Sequence, residues 1–212
     1  MHRLPSIQSI SSPDSHAILL AGLGNPGREH KENRHNVGFI VIDAFCQALQ
    51  IRLTRVQSKA LLGFGILADH KLIIAKPQTY MNLSGQSIAS LVNFYKIPLT
   101  QLLVIHDDLD LPLGTLRIRP SGGSAGQKGL ASIIQKLGSQ DFPRLRVGIG
   151  RPPGQMDAAA YVLQDFSPME QELLKPVLER AVKAVQAFIT EGLEYTMNHF
   201  NNTLHEETPN AG

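Results

Sequence analysis

The chain predicts an α/β fold: a single-domain, three-layer α/β/α sandwich around a mixed, mostly parallel twisted sheet. Two observations carry this. Short apolar runs alternate with stretches of helical periodicity, the pattern of a sheet covered on both faces. A tight-hairpin signal around Asp69-His70 breaks the alternation, so the sheet has to be mixed rather than wholly parallel. With 212 residues, one domain with a full core is expected over 17–200. Residues 1–16 read as a flexible N-terminal extension and 201–212 as a flexible C-terminal tail.

The first strand is expected at 17–24, a continuous apolar run ending in Gly22-Leu-Gly-Asn-Pro-Gly27. Helical periodicity then covers 36–50. Two strands at 63–68 and 71–75 flank the hairpin signal, and a helix at 85–95 follows, with Ser84 placed to cap it. Strands are expected at 101–106, 114–119 and 145–149, with a helix at 128–137. The last helix, 168–191, has a clear start: Ser167 as N-cap, Pro168 at the first position, and Glu170 completing a capping box. Leu173, Leu174, Val177, Leu178, Ala181, Val182, Val185, Phe188 and Ile189 form its apolar stripe, and Pro176 predicts a kink or short break.

Composition excludes several classes. Hydrophobic residues at 42% and charged ones at 18% are ordinary for a soluble globular chain. One cysteine, Cys46, precludes an intramolecular disulfide and suits a reducing cytoplasm. No apolar run reaches the roughly 18 residues of a membrane span. The first sixteen residues lack the apolar stretch of a secretory signal; their low acidity hints weakly at organelle transit, but Arg3 is their only formal positive charge. The net charge of +2 is modest, yet Arg117, Arg119, Lys128, Lys136, Arg144, Arg146 and Arg151 crowd one segment against Asp141 alone. Such segregation suits either a face that meets a polyanion or a solvated charged surface.

Gly22, Gly24 and Gly27 have the G-x-G-x-x-G spacing of a dinucleotide site. That reading needs a helix opening at the third glycine, whose amides would meet phosphate. Here the polar run Arg28 to His35 follows, and Asp43, the candidate ribose ligand, falls within a helix. Gly122-Gly-Ser-Ala-Gly126 matches a serine-hydrolase elbow, but Pro120 and Ser121 separate it from a strand end and no suitable histidine follows.

A different pair remains. His35 lies just before a helix, and Asp107 lies at the carboxyl end of a strand expected to be central. A histidine with a carboxylate on its second nitrogen can act as a general base near neutral pH. Taken alone, these residues favour the plainer reading, a local cap for His35 and a turn cap for Asp107. Asn25 in the first turn and Asn82 before the second helix each offer a donor and an acceptor, suited to a peptide group or a developing oxyanion, or simply to a turn.

Five segments decide between these readings. Gly22-Leu-Gly-Asn-Pro-Gly27, Arg34-His-Asn-Val-Gly-Phe39, Lys76-Pro-Gln-Thr-Tyr-Met-Asn-Leu-Ser-Gly85, His106-Asp-Asp-Leu-Asp-Leu-Pro112 and Arg144-Leu-Arg-Val-Gly-Ile-Gly-Arg-Pro152 occur in this order. Together they resemble the bacterial-type peptidyl-tRNA hydrolases. The resemblance implies a cytoplasmic monomer that hydrolyses the ester between a nascent peptide and the 3′ end of tRNA, with neither cofactor nor metal. It implies His35 as the base activating water, Asp107 as its orienting partner, and Asn25 and Asn82 as holders of the peptide main chain and scissile carbonyl. Met81, Asn36, Lys128, Gln127 and His30 become substrate-binding positions, and Arg117, Arg119 and Arg146 would meet tRNA phosphates. The chain departs from the family pattern at Gln127-Lys128, usually His-Asn, at His30, usually Tyr, and at Asn33, usually Thr. These departures keep open a second reading, a catalytically silent RNA-binding relative.

Overall fold

A computed structural model describes residues 17–201; the extension at 1–16 and all of the expected tail except Asn201 lie outside the described residues. Seven strands build one sheet: β1 (Ile18–Gly22), β2 (Arg55–Gln57), β3 (Ala60–Leu67), β4 (His70–Pro77), β5 (Leu102–Asp108), β6 (Leu116–Arg119) and β7 (Arg144–Gly148). Their order is β2-β3-β4-β1-β5-β7-β6. The inner four, β4-β1-β5-β7, run parallel, while β2, β3 and β6 join antiparallel at the two edges. Only the inner part is thus parallel.

Helices α1 (Val37–Ala48), α4 (Ala158–Val162), α5 (Pro168–Thr190) and α6 (Gly192–Phe200) lie on one face, and α2 (Ser84–Tyr95) and α3 (Lys128–Leu137) on the other. Side-chain alternation along β1 divides the core. Ile18 and Leu20 pack with Phe45, Val185 and Phe188, whereas Leu19 and Ala21 pack with Ile88, Leu91 and Ile133. Each such fully buried side chain contributes roughly 1.5–3 kcal/mol through apolar burial.

The glycine pattern of the first turn has a packing cause. A Cβ on Gly22 would overlap the Gly38 carbonyl oxygen, and one on Gly24 would lie 2.6 Å from the Phe39 ring. Both glycines let α1 approach β1 closely, which brings the turn before α1 over the end of the sheet.

Several element expectations need correction. The hairpin turn is Ala68-Asp69, with φ of 47° and 66°, so β3 and β4 reach Leu67 and His70. β3 starts at Ala60 because it also pairs with β2, a three-residue edge strand too short for a periodicity signal. β5 runs on to Asp107 and Asp108, past the apolar run, because β7 pairs with it there. Ser84 is the first residue of α2 rather than its cap; a 3₁₀ turn, Met81–Leu83, leads straight in, and the Ser84 hydroxyl donates to the Met81 carbonyl at 2.8 Å. The capping box at Ser167 and Glu170 is present. α5 continues through Pro176, which is exposed, so the carbonyl it leaves unbonded can turn to water. Leu173 is 57% exposed, and the stripe instead takes in Ala184.

Candidate active site

The carboxyl ends of β1 and β5 form the crevice where the strand order reverses around β1, the usual ligand position in such sheets. A cleft of about 650 Å³ opens there, lined by Asn25, His35, Met81, Asn82, Asp107 and Lys128 among others.

His35 sits in a 3₁₀ turn, Arg34–Asn36, that runs into α1. Its Nδ1 lies 2.8 Å from Asp107 Oδ2, and the Asp107 side chain is 3% exposed. A carboxylate on Nδ1 fixes the proton there, which leaves Nε2 as a lone pair with no protein partner among the described residues. The pair is held from both sides. His106, on the opposite face of β5, donates from Nδ1 to the Asp107 carbonyl at 2.7 Å, and burial pushes its pKa down, so it stays neutral. Arg34, next to His35, donates to both carboxylate oxygens of Glu170 at 2.9 and 2.8 Å, and its guanidinium lies 4.4 Å from the centre of the Tyr161 ring. That bidentate pair depresses the Glu170 carboxyl to about 2. Asn33 reaches the same wall through the Leu163 carbonyl and Asp165.

Asn25 is oriented just as firmly. Its backbone N–H donates to Asn36 Oδ1 at 2.8 Å, and its carbonyl accepts from Asn36 Nδ2 at 2.9 Å. Its side-chain Oδ1 accepts the Met81 N–H at 2.8 Å, so the amide nitrogen is the group turned to the cleft. Asn82 is exposed at the cleft edge, on the Met81–Leu83 turn. Lys128 is exposed at the start of α3 and lines the cleft.

Other expected positions lie elsewhere. Asn36 is 2% exposed and spends its amide on Asn25, so it supports the site from behind. His30 is absent from the cleft lining; its Nδ1 bonds Asn33 Oδ1 at 3.0 Å. Gln127 does line the cleft, but it is 9% exposed, with both ends of its amide on protein atoms. Within the basic segment, Arg144 is buried and bonds the carbonyls of Gly122, Gly123, Gln140 and Phe142, which makes it a brace for the loop before α3. Arg146 bonds Asp108 at 2.5 Å, Arg151 bonds Asp110, and Arg117 donates to the Asn201 carbonyl at 2.8 Å. Arg119 is exposed. Sequence reasoning passed over the wall formed by Asp157, Ala158, Ala159, Val162 and Leu163, although Asp157 before an alanine run is an N-cap signal. Among the described residues, no group of three or more His, Cys, Asp or Glu is placed to hold a metal ion.

A histidine–carboxylate pair facing a cleft with two asparagine amides, at the carboxyl edge of a doubly covered sheet, is an arrangement chemically suited to hydrolysis of acyl compounds. The family model described as peptidyl-tRNA hydrolase matches residues 19–208. A peptidyl-tRNA hydrolase of Carboxydothermus hydrogenoformans is 47% identical over 184 residues, covering 87% of this chain and 98% of that one. The chloroplastic peptidyl-tRNA hydrolase of Arabidopsis thaliana is 48% identical over 202 residues, 95% of this chain and 70% of the relative. A chloroplastic group IIB intron splicing facilitator of the same plant is 44% identical over 184 residues, 86% of this chain and 77% of its own length. The crystal structure of peptidyl-tRNA hydrolase from Acinetobacter baumannii superposes with a TM-score of 0.83 at 33% identity, covering 90% of this chain and 97% of that one. The chain belongs to the peptidyl-tRNA hydrolase family.

Proposed function

We propose that this chain cleaves the ester between a peptide and the 3′ ribose of tRNA with water activated by His35, a reading carried by the 2.8 Å contact between His35 Nδ1 and Asp107 Oδ2. His35 Nε2 takes a proton as the water oxygen bonds to the ester carbonyl carbon. The Asp107 carboxylate stabilises the imidazolium formed. The tetrahedral centre collapses, the bond to the ribose 3′ oxygen breaks, and the imidazolium returns its proton to that oxygen. Free peptide acid and tRNA leave. An ester is reactive enough for a positioned water and a base to suffice.

Asn25 presents an N–H donor to a peptide carbonyl, and Asn82 meets the scissile group at the cleft edge. Met81 is 4% exposed and supplies an apolar floor. A site that leaves buried amide groups unpaired without a peptide favours peptidyl over free aminoacyl ends. Lys128 stands at the mouth for a phosphate near the 3′ end. Arg117 and Arg119 lie directly across from Arg146 and Arg144 on β6 and β7. Of these four, Arg119 is the exposed one and would meet a tRNA phosphate, with Arg117 beside it on the same strand. The reading takes the chain as a cytoplasmic monomer; among the described residues no helix is long and apolar enough to cross a membrane.

The splicing facilitator among the relatives favours one rival, an RNA binder without ester chemistry. One assay separates them: release of N-acetylated amino acid from purified N-acetyl-aminoacyl-tRNA. The wild-type chain should turn over, and His35→Ala should lose activity while retaining tRNA binding. No cleavage by the wild type supports the binder, and unchanged cleavage by His35→Ala overturns the assigned base.

A further inference from the structure

A carboxylate can orient an imidazole only if its own rotation is fixed, and in this site the fixing group is Gln127. Gln127 caps α3: its Oε1 accepts the Leu130 N–H at 2.6 Å. With Oε1 so committed, Nε2 faces the other way, 3.0 Å from Asp107 Oδ1 and 3.2 Å from Met81 Sδ. Turning the amide over would break the cap and set a carbonyl oxygen against a carboxylate. Asp107 therefore has one oxygen on Gln127 and the other on His35 Nδ1, and no other side chain among the described residues bonds either oxygen. The helix start thus reads out into the site: the backbone amide of Leu130 orients Gln127, Gln127 orients Asp107, and Asp107 orients His35.

We infer that Gln127 is a positioning residue of the hydrolytic site, holding Asp107 by one oxygen so that the other is presented to His35. This assigns Gln127 a task inside the protein in place of contact with substrate. It rests on the reading of His35 and Asp107 as base and partner. A carboxamide has no titration of its own, so Gln127 adds no charge beside the pair. The other charged or titratable groups around the pair are Asp108 and His106 on β5, Tyr80 before the Met81–Leu83 turn, Lys128 on α3, Asp157 ahead of α4, and Arg34 on the turn of His35. Arg34 is taken up by Glu170, and Asp108 by Arg146.

Gln127→Glu tests the donor apart from the cap. It keeps the side-chain length and an oxygen for the Leu130 N–H, but it sets a second carboxyl about 3 Å from Asp107, where the two cannot both ionise: protonated, the new group still donates to Asp107, and ionised, it repels it. The expected result is a kcat near wild type at low pH that falls on the order of 10- to 100-fold as the new carboxyl ionises, with KM within about threefold, so the profile gains an alkaline limb that the wild type lacks. Circular dichroism confirms that the variant folds, and its Tm should fall as pH rises through the same limb. Gln127→His, which restores an N–H donor, should recover most of kcat above pH 8. A wild-type kcat and pH profile in Gln127→Glu, with His35→Ala inactive, overturns this inference alone. Full activity in His35→Ala overturns the reading beneath it instead.

Discussion

Replacing Asp107 by asparagine changes one atom, and the surrounding hydrogen bonds determine where that atom goes. Gln127 Nε2 donates to Asp107 Oδ1, and Gln127 cannot turn over while its oxygen serves Leu130. The asparagine oxygen therefore stays against Gln127, and its new NH₂ faces His35 Nδ1, where Asp107 Oδ2 now lies at 2.8 Å. Two donors cannot share that contact. His35 has to give up the Nδ1 proton and carry it on Nε2, which removes the lone pair that would take a proton from water. The base is present but in the wrong tautomer. Loss of a comparable orienting carboxylate in a catalytic triad costs about 10⁴ in kcat, so a fall of about 10³–10⁴ is expected here, or roughly 4–5 kcal/mol in the barrier. The side chains are nearly isosteric and the site is buried, so Tm and tRNA binding should change little. Single-turnover cleavage of N-acetyl-aminoacyl-tRNA at pH 7.5, with circular dichroism to confirm folding, reads the effect. A folded Asp107→Asn enzyme within about fivefold of wild type would refute the tautomer argument.

Other outcomes follow from the same contacts. The Glu170 carboxyl is held at about 2 against an ordinary 4.5, so its pairing with Arg34 stabilises the fold fully above about 4.5 and the contribution is lost as pH falls towards 2. With solvent screening at its open edge, the effect should be about 1–2 kcal/mol; urea denaturation of wild type and Glu170→Gln at pH 6 and pH 3 should show their stabilities converging at the lower pH. Gly22→Ala should cost about 3 kcal/mol, because the added methyl overlaps the Gly38 carbonyl and Ile42, and a thermal melt within 2 °C of wild type would contradict that. Arg119→Ala should lower the slope of log affinity for tRNA against log salt by about one, leaving kcat at saturation unchanged. Cys46 is buried and its thiol is pushed up to about 11, chiefly by burial, so a thiol reagent at pH 8 should react with it only after urea is added.

Local information sufficed for much of the fold. The apolar run of β1, the Asn-Pro-Gly turn after it and the Ser167–Glu170 capping box are each encoded within a few residues, and each is where it was expected. Where an element depends on a distant partner, its ends moved. β3 lengthens because β2 lies beside it, and β5 reaches Asp107 and Asp108 through its pairing with β7. The glycine pattern of the first turn misleads for the same reason: its cause is α1, whose Gly38 carbonyl lies against Gly22 and whose Phe39 ring lies against Gly24, and those contacts exist only after folding.

For the site, the residue types were legible and their assignments were partly not. His35, Asp107, Asn25 and Asn82 are ordinary turn residues taken singly and stand out only through the five ordered segments that contain them, and all four line one cleft. No pattern in the chain says that the Gln127 amide faces inward to Asp107, that Asn36 spends itself on the backbone of Asn25, or that Arg144 braces a loop instead of meeting solvent. A side chain's identity supplies its donors, acceptors and charge, and sequence by itself determines these. Which partner takes each of them depends on groups separated by tens of residues, such as the 72 between His35 and Asp107. Tertiary structure alone decides those pairings, since a hydrogen bond forms only where packing sets two groups about 3 Å apart at the right angle.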